Sequence, residues 1–158
     1  TAEPSLPAML QQSGTITIAD FIYTHCTTIC LTLGSNFQRI QASLQSETDA
    51  PGNDGVRLLS ISFDGERDNP AVLSRYAQGW KADPERWQFV RVPDPAEQAA
   101  LLRKLGVVVI PDERGDFEHN AALLVFSTDG KLVRIFDMEE RVLALNYARH
   151  LAKLAASS

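Results

Sequence analysis

Cysteine is scarce in this chain: only two of 158 residues, Cys26 and Cys30, four positions apart. That rules out a disulfide-stapled scaffold, since a structural bridge in a secreted domain normally closes a longer loop. No apolar run approaches the roughly 18 residues that a membrane-spanning helix requires. A run of like charge is missing too. The 15 Lys and Arg residues are scattered among 20 Asp and Glu, giving a net charge of −5. Neither a nucleic-acid footprint nor a polybasic membrane patch is expected from that distribution. Histidine is limited to His25, His119 and His150. The chain contains no internal repeat and no low-complexity tract, and nothing in it marks a domain boundary.

What remains is ordinary globular material, 44% hydrophobic and 22% charged, of a length that suits one domain spanning residues 1–158. Residues 1–14 read as an irregular lead-in or a short helix. Thr15 to Tyr23 is β-branched and aromatic, a buried strand. After Cys30, apolar residues at Leu33, Phe37, Ile40 and Leu44 mark one helix face, closed by a loop over Asp49 to Gly55. Val56 to Phe63 is a second strand. Asn69-Pro70 opens a helix with Val72, Leu73, Tyr76 and Trp80 inward, and Trp87 to Val92 is a third strand. Asp94-Pro95-Ala96-Glu97 has the pattern of a capping box, and Gly106 stops the helix that follows. Val107 to Ile110 is a short apolar run and Pro111 to Glu118 an acidic loop. Ala121 to Phe126 and Leu132 to Phe136 flank a hairpin turn at Asp129-Gly130. Asp137 to Leu154 forms a last helix with Val142, Leu145, Leu151 and Leu154 on its apolar face. Strand–helix alternation followed by a hairpin predicts an α/β layered domain with a mixed central sheet flanked by helices.

Cys26-Thr27-Thr28-Ile29-Cys30 falls between the first strand and the first long helix. Side chains four apart on a first helical turn share a face, so both sulfurs can reach one ion. Free N–H groups and the helix dipole at that end are expected to favour thiolate, the metal-binding form. Soft sulfur donors suit copper(I), with zinc as competitor. Two sulfurs leave an ion under-coordinated. His25 adjoins the pair but would point away if Cys26 points inward, and His150 occupies a polar helix position. His119 stands at a loop–strand junction from which a neighbouring strand could bring it over the cysteines. Taken alone, His119 is more often a surface or hydrogen-bonding residue, and Asp64 and Asp68 are ordinarily loop and capping residues. Spacing alone therefore reaches as far as a redox or metal dithiol.

Three segments go further. Phe21-Ile22-Tyr23-Thr24-His25-Cys26-Thr27-Thr28-Ile29-Cys30 resembles the copper-site signature of the Sco/SenC family. Leu59 to Asp64 with Gly65-Glu66-Arg67-Asp68-Asn69-Pro70 is similar to that family's strand and Asp-rich turn. Asp116-Phe117-Glu118-His119-Asn120, then Leu123 to Phe126 and Asp129-Gly130-Lys131, resembles its histidine hairpin. The segments occur in family order and cover most of Thr15 to Asp137. The resemblance implies a thioredoxin-like fold with a late hairpin carrying the histidine, and one copper ion, Cu+ or Cu2+, held by Cys26, Cys30 and His119. It places Asp64 beside the site or facing a partner. The implied role is delivery of copper to the dinuclear centre of cytochrome c oxidase subunit II or another acceptor, or reduction of that centre's thiols. Cys26 and Cys30 would then serve as a redox dithiol; a thiol–disulfide oxidoreductase or a copper sensor on the same pair is the alternative. It further implies a monomer in the periplasm, inner-membrane anchored through a removed N-terminal segment, or in the intermembrane space if mitochondrial. The departures are Thr27 and Leu31, where the family commonly has proline, and Thr28, where Asp is frequent.

Overall fold

The computed structural model describes residues 6–12, 14–26, 29–47, 55–111, 117–119 and 121–156. The expected loops at 49–55 and 111–118, Thr27 and Thr28 lie wholly or largely outside these. Elements run α1 (Leu6–Gln12), β1 (Ile16–Ile22), α2 (Ile29–Glu47), β2 (Val56–Ser62), α3 (Pro70–Gly79), β3 (Trp87–Arg91) and α4 (Pro95–Leu105). They continue with β4 (Val109–Pro111), β5 (Phe117–His119), β6 (Ala122–Phe126), β7 (Leu132–Asp137), a 3₁₀ turn at Met138–Glu140 and α5 (Arg141–Ala156). Among the described residues, no helix is long and apolar enough to cross a membrane.

Five strands form one sheet in the order β3-β2-β1-β6-β7. β1, β2 and β3 run parallel, whereas β6 is antiparallel to β1 and β7 antiparallel to β6. The parallel strands are fed by two successive crossovers, which right-handed connection places on one face. α2 accordingly packs on the sheet, with the Phe37 and Trp87 rings 5.8 Å apart, and meets α3 where the indole of its C-cap Trp80 covers Gly34. α5 joins them, with Arg149 donating to the Ser43 carbonyl at 3.3 Å and Asn36 to the Met138 carbonyl at 2.9 Å. On the opposite face Arg57 donates to Thr17 Oγ1 and to the Met9 carbonyl, which seats α1 there. A mixed sheet with helices on both faces is the expected thioredoxin-like arrangement.

Most expected boundaries hold. Asn69 caps α3 by accepting from Val72 N–H at 3.0 Å, and Gly106 ends α4 at φ 72°, a conformation that glycine adopts freely. Asp94 accepts from Ala96 N–H at 2.8 Å; the reciprocal capping box belongs instead to Asp137 and Glu140. The inward face of α5 differs from its reading. Ala144, Leu145, Ala148 and Ala152 are buried, whereas Val142 and Leu154 are more than half exposed. Close packing decides this: small side chains let the helix approach the sheet and the Gly55 turn, where a Cβ would lie 3.2 Å from that of Ala152. Part of the acidic stretch after Pro111 is also structured, since β4 and β5 form a separate antiparallel pair with His119 opposite Val109.

Candidate metal centre

β1 delivers the chain to the site. Beyond Ile22, the Tyr23 ring packs tilted against Phe63 with centroids 5.1 Å apart, and Cys26 N–H donates to the Tyr23 carbonyl at 3.1 Å, closing a turn over Thr24 and His25. α2 begins at Ile29, so Cys30 stands in its first turn. The Cys30 amide donates to Cys26 Sγ at 3.4 Å. One sulfur is thus oriented by the backbone of the other cysteine. Neither cysteine is in a disulfide and both are buried, Cys26 at 4% exposure and Cys30 at 0%.

That burial corrects one expectation. Desolvation pushes the Cys30 thiol well above the ordinary cysteine range, helped by its hydrogen bond to Cys26 and by the charges of Cys26 and Asp20. Burial therefore favours the Cys30 thiol over the thiolate, against the tendency expected at a helix N-terminus.

Asp20 went unremarked in the sequence, although a carboxylate inside TITIADFIY is itself a signal. Along β1 it shares a face with Ile18 and Ile22 and pairs across to Ser60, beneath α2. It is fully buried, and neither carboxylate oxygen has a fully formed hydrogen bond among the described residues. Burial raises its pKa to about 7; the neighbouring Ser60 hydroxyl, which already accepts from Trp87 Nε1 at 3.0 Å, offsets only part of that. The Tyr76 hydroxyl, also buried, has its pKa raised to about 12 by desolvation first, then by the charges of Cys30, Asp20 and Cys26.

The β2–α3 turn forms the other wall. Asp64 is buried and accepts from Arg67 Nε at 2.6 Å. Asp68 has 0% exposure, and Ser62 Oγ donates to it at 2.7 Å. The exposed imidazole of His25 faces these acids: one atom from each of His25, Asp64 and Asp68 lies within 4.8 Å of the other two. His25 is thus grouped with these two acids. His150 is exposed on α5. His119 is described through its backbone alone, at the end of β5; its side chain lies outside the described residues, as does Asp116.

The family model for SCO1/SenC matches residues 10–156 of this chain. A curated relative, the SCO1 protein homolog of Bacillus subtilis (strain 168), is 28% identical over 126 residues. That match covers 78% of this chain and 63% of the relative, so the chain spans less than two thirds of the relative's length. Among solved structures, a SCO1/SenC family lipoprotein from Bacillus anthracis str. Ames superposes with a TM-score of 0.78 at 20% identity, covering 89% of this chain and 83% of that one. Bradyrhizobium japonicum ScoI with copper bound superposes with a TM-score of 0.69 at 27% identity, covering 90% and 88%.

Proposed function

Because the chain belongs to the SCO1/SenC family, we propose that it carries one copper ion on Cys26, Cys30 and His119. It passes that ion to the dinuclear copper site of cytochrome c oxidase subunit II. The observation that carries the reading is the close approach of the two cysteines at the start of α2, where the Cys30 N–H donates to Cys26 Sγ. Two thiolates of fixed spacing suit copper(I); an imidazole from the β5 strand completes a three-donor set that also accommodates copper(II). Binding displaces the thiol protons, so it grows tighter as pH rises. The solved structure of Bradyrhizobium japonicum ScoI with copper bound supports the choice of metal. Copper is cargo: it leaves by ligand exchange, each donor being replaced by one from the acceptor. The protein works as a monomer in the periplasm, or in the intermembrane space of a mitochondrion.

The same dithiol supports a second reading, thiol reduction at that acceptor. Cys26 thiolate attacks a partner disulfide, forming a mixed disulfide and releasing one partner thiolate. Cys30 then attacks Cys26, releasing the second partner thiolate and leaving this chain oxidised. The close approach of the two cysteines favours it.

Titration of the fully reduced protein with copper under anaerobic conditions tests the carrier reading. One equivalent should bind to the wild type, with a sulfur-to-copper charge-transfer band once copper(II) is used. Cys26→Ser and Cys30→Ser should abolish the band. Failure of the wild type to retain stoichiometric copper would remove the carrier reading and leave the exchange reaction, which an insulin-type disulfide substrate then tests. Retention by a pull-down of a regulatory protein and no oxidase subunit would point to a copper sensor instead.

A further inference from the structure

Asp68 makes contacts that an ordinary turn residue does not. Its Oδ2 accepts from the backbone N–H of Thr24 at 3.0 Å and from Ser62 Oγ at 2.7 Å, while the Thr24 hydroxyl donates to its Oδ1. Thr24 lies 44 residues earlier, on the turn that leads into Cys26. Capping of α3 does not account for this carboxylate, because Asn69 performs that task. Nor does an ion pair account for it: among the described residues no Lys or Arg pairs with Asp68, and Arg67 turns to Asp64. The hydrogen bonds to this buried carboxylate come from one backbone amide and two hydroxyls, with the His25 imidazole within 4.8 Å, and so costly a group persists where such donors are fixed around it.

We infer that Asp68 is the positioning residue of the copper turn, gripping Thr24 at both its N–H and its hydroxyl so that Cys26 is presented to the metal in one geometry. The inference rests on the carrier reading for its metal. The chain of contacts is short. Asp68 fixes Thr24, Thr24 belongs to the turn closed by Cys26 N–H on Tyr23, and Cys26 Sγ accepts from the Cys30 amide in the first turn of α2. Ser62, from the end of β2, holds the carboxylate from behind and accepts from the Asp64 N–H at 3.1 Å. The acid that acts on the site is therefore Asp68, and it acts through Thr24 without touching the ion.

Two substitutions separate geometry from charge. An amide at this position can still accept from Thr24 N–H and Ser62 while its NH2 donates to Thr24 Oγ1, so Asp68→Asn should bind copper(I) within about twofold of wild type. Asp68→Ala removes both carboxylate oxygens and with them all three bonds, and its copper affinity should fall on the order of tenfold or more, with faster copper loss to a chelator. In the metal-free folded protein, iodoacetamide should modify the cysteines faster in Asp68→Ala than in Asp68→Asn or wild type. A folded Asp68→Ala variant with wild-type copper affinity and thiol modification rate would overturn the inference, and so would an Asn variant as impaired as the Ala variant. If Asp68→Ala does not fold, Thr24→Val removes the hydroxyl arm alone; it should speed thiol modification and weaken copper several-fold, and an unchanged Thr24→Val protein would equally refute the assignment. Absence of copper binding in the wild type sinks the carrier reading instead, and the thiol modification rates still decide the positioning role.

Discussion

The indole of Trp80 lies directly on Gly34, one helical turn beyond Cys30: a Cβ at position 34 would sit 2.3 Å from Trp80 Cζ2. Gln38 holds the same residue by donating to the Trp80 carbonyl at 2.9 Å. The α2–α3 contact beside the cysteine helix therefore depends on the missing side chain. Gly34→Ala, normally favourable in a helix interior, should instead cost about 1–3 kcal/mol through overpacking. A shift of the urea midpoint to higher concentration would show that Trp80 moves aside freely.

Asp20 sets a pH dependence. Its carboxyl is raised from 3.8 to about 7 by burial. A raised acid binds its proton more tightly in the folded state, so its favourable contribution is complete below the unfolded value and is lost as pH climbs through 7. At about 1.4 kcal/mol per pKa unit the loss is roughly 4 kcal/mol at most. Stability should fall between about pH 4 and pH 7, and Asp20→Asn should remove most of that slope and exceed the wild type at pH 8. Parallel urea-midpoint profiles for the two proteins would contradict the assignment.

The face of α5 offers a third test. Leu154→Gln replaces an exposed side chain and should change stability by no more than about 0.5 kcal/mol. Ala148→Leu inserts bulk at a position with 0% exposure and should destabilise by about 1–3 kcal/mol. Equal effects of the two, measured by thermal and urea unfolding, would mean that the helix is turned the other way.

That last contrast shows why some of the molecule was readable in its sequence and some was not. Strands such as Val56 to Ser62 and caps such as Asn69 and Gly106 announce themselves through local chemistry. The α5 face does not, because pattern reading ranks leucine and valine above alanine, whereas the sheet selects for close approach. The cysteine pair was legible from spacing alone. The state of Cys30 was not, since depth of burial is a property of the whole fold and reverses the local preference of a helix N-terminus. Asp68 looked like a turn residue; its bond to Thr24 joins segments 44 residues apart, and no periodicity encodes that. Asp20 was legible in principle, as a charge within an apolar strand.

His119→Ala should leave the fold intact, since the β4–β5 pair is separate from the five-stranded sheet, while greatly weakening copper(II) binding. The most direct test of the three-donor site is X-ray absorption at the copper edge on the loaded protein. The wild type should show two sulfur neighbours and one imidazole nitrogen, and His119→Ala should lose the imidazole signal while keeping both sulfurs. A spectrum with an unchanged imidazole shell in His119→Ala, or with no sulfur neighbours in the wild type, would contradict it.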